Sequence, residues 1–401
     1  MRPSRPTPPA LAVALAACLC GCNLLTGAVD IAVLEDEPAG AKQPQDGAGG
    51  GASAAGGAEA GGHDGAGGIG SGAGNGAGAD QPGQGGCSPA CGAHEHCEAQ
   101  TKSCVCDPGF VEQGGACSPA PVGDPSTRSA NEVCKAWKAG HVVTTPDPFS
   151  SSGADCDAGK LAEGGITDTL ERLNMFRWLV GLGPCSDDAD FNEGAQLCAN
   201  IESWWPWQGG SPHAPPPDSK CYTAEGAATA GASNIAWGSG HPAEAIDQFM
   251  QDAGNDDTMG HRRWILNPPL GPVGIGYWTG GGMYGDAECL RVFASSGGGP
   301  SPQWLAFPNP GYAPLAVAQW TWTFHGKLGG IPQAQVSVLR VDDNTPLDVT
   351  MKPLVQGFGE LGTTSWVPKG WKPQAGATYR VTVSGLKGGD VVYDVKPVQC
   401  Q

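Results

Sequence analysis

The chain reads as an α+β protein, and three patterns lead there. Apolar residues recur at helical spacing between Ile166 and Ala253, and from Trp320 onward they alternate at period two. Ahead of both lies a short segment dense in cysteine. Helices first and strands later, without strict alternation, fit a layered α+β fold better than a parallel α/β sheet.

In chain order, Met1 to Pro9 hold two arginines and no acid, and Ala10 to Ala17 is an unbroken apolar run. That is the charged head and short core of a secretory signal, too short to span a bilayer. Leu15-Ala16-Ala17-Cys18 and Leu19-Cys20-Gly21-Cys22 both resemble the lipobox of bacterial lipoproteins, where a small residue precedes an acylated cysteine. The resemblance implies a signal and anchor over 1–22, acylated at Cys22 or, as the alternative, Cys18. The expected location is the cell envelope, as an outer-membrane or surface lipoprotein held to the membrane by its lipid; otherwise the chain is secreted.

Residues 23–86 lose the hydrophobic pattern, and Gly40 to Gly86 is mostly Gly and Ala. Such a segment buries too little apolar surface to offset its ordering entropy, so a disordered stalk is expected. As a coil of roughly 50 residues it would reach about 40 Å.

Sixteen cysteines suit an oxidising compartment. Removing Cys18, Cys20 and Cys22 with the signal leaves an odd number, so one should be free or pair with another chain. The net charge of −18 excludes nucleic acid as a partner, because binding phosphates needs Lys and Arg. No later segment is apolar enough to cross a membrane.

Residues 87–117 hold Cys87, Cys91, Cys97, Cys104, Cys106 and Cys117, with Gly109-Phe110 between the last two. So small a segment has no core and needs staples, and six cysteines permit many pairings. Their order resembles an EGF-like module. The resemblance implies the pairs Cys87–Cys97, Cys91–Cys104 and Cys106–Cys117, in a module lacking the calcium-binding acids before its first cysteine. His94 and His96 are read as surface residues rather than metal ligands.

Residues 122–305 read as the main globular region. Ile166, Leu170, Leu173 and Val180 predict a first helix, with Asp168 and Glu171 as a capping box and Gly181-Leu182-Gly183-Pro184 as its stop. Phe191, Ala195, Cys198, Ile201 and Trp205 mark a second. Pro242 opens a third, in which Ile246, Phe249, Met250 and Ala253 share one face. Val273 to Trp278 and Cys289 to Ala294 read as short strands. Residues 306–401 then alternate, in Trp320 and Trp322, Val336 and Val338, Tyr379, Val381 and Val383, and Val391 to Val395. A β-sandwich of roughly 90 residues follows, of immunoglobulin-like size.

Three polar residues stand out in the middle region. His213 lies in the proline-stiffened loop Ser211-Pro212-His213-Ala214-Pro215-Pro216, Asp252 ends the third helix, and His261 lies in Gly260-His261-Arg262-Arg263-Trp264. Asn174, Arg177, Ala195, Ala199, Cys221-Tyr222-Thr223 and Ser233-Asn234-Ile235-Ala236 fall around them in order. This ordered set resembles the CAP superfamily of cysteine-rich secretory proteins, antigen 5 and pathogenesis-related proteins. The resemblance implies an α-β-α sandwich with a cleft lined by two histidines and two acids. It places His213 and His261 on the histidines and Asp252 on the second acid. The first acid is expected in a Gly-Glu-Asn triplet, which here reads Ala232-Ser233-Asn234, so Ser233 stands in its place.

Two imidazoles and a carboxylate form a zinc ligand set with an open position, so Zn2+ is the cofactor to test on His213, Asp252 and His261. The plainer readings are a solvated His213, and Arg262 and Arg263 pairing surface acids. Asn234 is expected to bond backbone of its own loop. Most of the thirteen tryptophans belong to packing, while Trp204, Trp205 and Trp207 are a candidate rim for a sugar or lipid groove. No serine-hydrolase elbow, His-Glu-x-x-His run or phosphate-cradling glycine loop occurs.

The expected function is therefore binding or adhesion at the envelope through the cleft and the sandwich, with a lipid, glycan or protein as partner. The alternatives are a metal-dependent hydrolase of envelope peptides or polymers and a purely structural component. Two further disulfides are expected, Cys198–Cys221 bracing the cleft and Cys134–Cys156 by local closure.

Overall fold

Two stapled hairpins begin the described part of the chain, which in this computed structural model comprises residues 91–92, 94–98, 101–206, 210–293 and 301–400. The expected signal, its anchor at Cys22 or Cys18, the stalk, the Cys87–Cys97 pair, Trp207 and Ala294 lie outside these residues. Strands β1 (Glu95–Glu98) and β2 (Ser103–Cys106) form the first hairpin, and β3 (Phe110–Gln113) and β4 (Ala116–Pro119) the second. Cys91 is bonded to Cys104 and Cys106 to Cys117. The hairpins are not a free knob, since Asn174 Nδ2 donates to the Pro108 carbonyl at 2.8 Å.

Helix α1 (Ala130–Gly140) opens with a capping box between Ser129 and Glu132. A two-residue pair of strands, β5 (Phe149–Ser150) and β6 (Lys160–Leu161), leads to α2 (Glu163–Leu179). The expected capping box at Asp168 and Glu171 is corrected here. Helix α2 starts five residues earlier than Asp168, behind Ala162, and Asp168 is a buried mid-helix acid. Its carboxylate accepts the backbone N–H groups of Thr144 and Thr145, which tie the preceding loop to the helix. The predicted stop holds, with Gly181 in the left-handed region at φ 85°.

Helices α3 (Ala189–Glu202), α4 (Ala224–Ala230), α5 (Pro242–Gln251) and α6 (Gly260–Ile265) surround strands β7 (Ser233–Trp237), β8 (Gly274–Gly281) and β9 (Gly285–Arg291). Trp205 falls beyond α3, which ends at Glu202. The three strands make an antiparallel sheet in the order β7-β9-β8. Because successive side chains point to opposite faces, the sheet serves two cores. Ile235 and Cys289 join Ala195, Cys198, Ala199 and Ala230 from α3 and α4. Ala236, Ile275, Tyr277 and Leu290 join the apolar faces of α2 and α5. Helix α3 lies directly on β8, where a Cβ on Gly274 or Gly276 would strike the backbone of Phe191 or Ala195. The result is a sheet covered by helices on both faces.

The remaining strands are β10 (Trp304–Phe307), β11 (Gly311–Pro314), β12 (Trp322–Gly326), β13 (Gln335–Arg340), β14 (Thr345–Leu347), β15 (Val349–Lys352), β16 (Gly362–Pro368), β17 (Tyr379–Ser384) and β18 (Val391–Val398). One sheet runs β10-β12-β16-β15 and the other β11-β18-β17-β13-β14. Trp322, Phe324 and Trp366 from the first meet Val338, Tyr379, Val381 and Val395 from the second in a shared core. The two β sheets are not isolated from the helices, because Leu305, Phe307 and Leu361 belong to the same core as α2 and α5. The expected boundary between 305 and 306 falls inside β10, and the described residues all belong to one compact unit.

The two expected disulfides of the globular part are both replaced. Cys198 pairs with Cys289, not Cys221, because the sheet-facing stripe of α3 sets it over β9 with the Cα atoms 6.0 Å apart. Cys221 pairs with Cys156, and Cys134 of α1 reaches across 266 residues to Cys400 rather than closing locally on Cys156. Among the described residues Cys185 is free and buried, its thiol pushed up by burial. Non-reducing peptide mapping should therefore return Cys134–Cys400, Cys156–Cys221 and Cys198–Cys289, and recovery of a Cys198–Cys221 peptide would refute the pairing. Replacing Cys198 and Cys289 together by Ala should cost about 2–4 kcal/mol, read from the urea midpoint.

Candidate functional site

Helix α5 ends, and α6 begins, around one carboxylate. Asp252 closes α5 in the left-handed conformation, φ 55° and ψ 37°, with its N–H on the Gln248 carbonyl at 2.8 Å. This fold of the chain turns the buried side chain forward onto α6. Oδ1 accepts Nδ1–H of His261 at 2.9 Å and Nδ2–H of Asn255 at 3.1 Å, while Oδ2 accepts the Arg262 N–H at 3.2 Å.

The tautomers of both predicted histidines follow from their partners. A carboxylate or a carbonyl can only accept, so Nδ1 of His261 carries the proton toward Asp252. Nδ1 of His213 likewise donates to the Ala230 carbonyl, at 3.0 Å. In its neutral form each imidazole keeps Nε2 as a lone-pair acceptor. Burial lowers the His213 pKa; the bond to Ala230 opposes this and the nearby charge of His261 adds to it. Each histidine is half-buried, His213 in the loop before α4 and His261 in α6. Asn234 of β7 donates to the His261 carbonyl at 3.0 Å, a backbone bond to α6 rather than within its own loop.

Ser233 does not stand in for an acid. Its buried hydroxyl donates to the Thr229 carbonyl of α4 at 2.7 Å. Both oxygens of Asp252 accept N–H groups, Oδ1 two and Oδ2 one. Among the described residues no group of three or more His, Cys, Asp or Glu side chains is arranged to hold a metal ion. At the expected His213/Asp252/His261 zinc set the described residues show two imidazoles, one of them oriented by a carboxylate. Such a pair does not fit a catalytic three-ligand centre.

Among the described residues Arg262 and Arg263 pair with no surface acids. Arg262 is buried and donates to the carbonyls of Met250 and Thr321, each at 2.6 Å, and of Gln251 at 3.3 Å. Arg263 donates to the carbonyls of Thr258 and Val355. Burial pulls both guanidinium groups down to about 10, against the raising effect of Asp252.

Two acids went unnoticed in the sequence. Glu202 and Glu288 are fully buried, and neither oxygen of either has a hydrogen-bond partner. Burial raises both well above the ordinary carboxyl value, and Asp286 adds to the effect on Glu288. A signal was available for Glu202, because it continues the Phe191, Ala195, Cys198 stripe by one turn. Trp204 and Trp205, just beyond it, pack on the sheet tryptophans Trp278 and Trp237.

In comparisons with known proteins, no family model, no curated protein and no solved structure matches this chain.

Asp252→Ala should cost about 3–5 kcal/mol in urea unfolding, since it orphans buried donors and a left-handed position. Asp252→Asn, which tolerates that conformation, should cost clearly less. The buried acids predict a pH effect of the opposite kind. Their stabilising contribution is complete below the ordinary carboxyl value of 4.5 and is lost as pH rises toward the raised folded value. Glu202→Gln and Glu288→Gln should therefore raise Tm near pH 7, a gain that disappears near pH 4.

Proposed function

We propose that this chain is an exported, envelope-tethered binding protein of CAP-like type, which holds its ligand at the His213 and His261 imidazoles. One observation carries the reading. Both rings commit Nδ1–H to a fixed oxygen and so offer Nε2 outward, the arrangement that suits capture of a donor group or a metal-held ligand. The lipobox-like N-terminal sequence and the Gly/Ala-rich segment after it support display at the envelope. The sheet covered by helices on both faces supports the CAP-like reading, and the two sheets after Trp304 support an immunoglobulin-like partner for it.

Hydrolysis is the second reading, favoured by the carboxylate behind His261, since an oriented imidazole is a general base. Among the described residues no third ligand joins the imidazoles, and the Ser233 hydroxyl donates to Thr229.

The test is retention of envelope lipids, glycans and peptide fragments by the full chain, beside His213→Ala/His261→Ala with its fold verified by circular dichroism. The wild type should retain a reproducible ligand and the double variant should lose it. Silence across all fractions would sink the reading. Zinc calorimetry separates the alternative, because tight binding abolished by Asp252→Asn would restore a three-ligand centre. Burial should keep the His213 imidazole neutral somewhat below pH 6.5, read from its NMR titration in the full chain.

A further inference from the structure

Strand pairing sets three residues in one row on the α3 face of the sheet. Trp237 of β7 is paired with Ala287 of β9, and Ala287 with Trp278 of β8. The row lies two residues along from the Ile235–Cys289 pair that packs under α3, so it faces the same helix. Ala287, the small residue between the two indoles, is fully buried. The helical period carries Glu202 onto this face one turn beyond Cys198, and the Trp237 indole N–H donates to the Glu202 carbonyl at 3.0 Å.

Further aromatic rings flank this row. Trp204 lies 5.7 Å from Trp278, and Trp205 stacks on Trp237 at 6.1 Å with the planes 28° apart. Tyr284, from the β8–β9 turn, lies 6.1 Å from Trp237 on its other side. All five rings are partly exposed, whereas the Glu202 carboxyl beneath them is fully buried without a partner. The Trp204 indole N–H is also unpartnered. Unmade hydrogen bonds of this kind are costly, and a polar ligand would complete them.

Charge narrows the ligand class. The ammonium of Lys220, paired with Asp155 at 3.0 Å, sits 3.4 Å over the Trp204 ring, so a cation already occupies that ring face. An anionic ligand would approach a chain of net charge −18. A neutral ligand with an apolar face and a hydroxyl edge satisfies both conditions.

We infer that Trp204, Trp205, Trp237, Trp278 and Tyr284, with Glu202 beneath, form a binding site for a neutral oligosaccharide that uses neither His213 nor His261. Sugar rings stack their C–H faces on the exposed indoles, and their hydroxyls meet the unpartnered carboxyl and indole N–H.

The probes are cellotetraose and the tetramer of N-acetylglucosamine, titrated into the full chain and followed by tryptophan fluorescence and calorimetry. At least one should bind saturably with a fluorescence change. Trp205→Ala and Tyr284→Ala should each weaken it about tenfold or more, equivalent to about 1.4 kcal/mol. Tyr284 lies on a turn, so its variant keeps the test open if Trp205→Ala misfolds. Unchanged affinity in a folded Tyr284→Ala variant would overturn the site, as would absence of binding by both sugars up to their solubility. Saturable binding of tetramethylammonium in their place would mark a cation cage and overturn it equally.

Discussion

The carboxylate of Asp252 is the point on which the middle of this molecule turns. It ends one helix in a conformation most side chains avoid, supplies the first-turn acceptor of the next, and fixes the ring of His261. The two arginines that follow extend the arrangement. Arg262 gathers carbonyls from the end of α5 and from the segment before β12, while Arg263 reaches the carbonyl of Val355. A single corner therefore couples the helical layer, the imidazole pair and the β sheets. Displacement of any one would leave buried donors without acceptors.

The elements were legible where period and punctuation agreed. The stripe of α3, Pro242 at the start of α5 and Gly181 after α2 each have a local cause, and each falls where the sequence implies. What could not be read depended on distant partners. Asp168 looks like a helix cap, yet its acceptors serve a loop more than twenty residues earlier. Cys198 looks toward Cys221 by order along the chain, but the sheet brings Cys289 beneath it. Both errors come from judging closeness by sequence distance.

The candidate site was legible as a set of residues and not as a set of roles. His213, Asp252 and His261 were singled out because their motifs fall in order, and the fold gives each a defined hydrogen-bond partner. The role of Asp252 depended on where its oxygens point, which a left-handed cap decides and a motif does not. Glu202 shows the converse. A lone acid on an otherwise small and apolar stripe is easy to pass over as a solvated position, and only the sheet beneath shows that it is enclosed.

The bond between Cys134 and Cys400 has a mechanical meaning beyond stability. It turns everything between those residues into a closed covalent ring. Tension applied to the chain ahead of α1 and at Cys400 passes straight across the sulfur bridge and bypasses the helices, the sheets and both candidate binding regions. A molecule clamped in this way can be pulled between those two points without unravelling the imidazole pair or the tryptophan row.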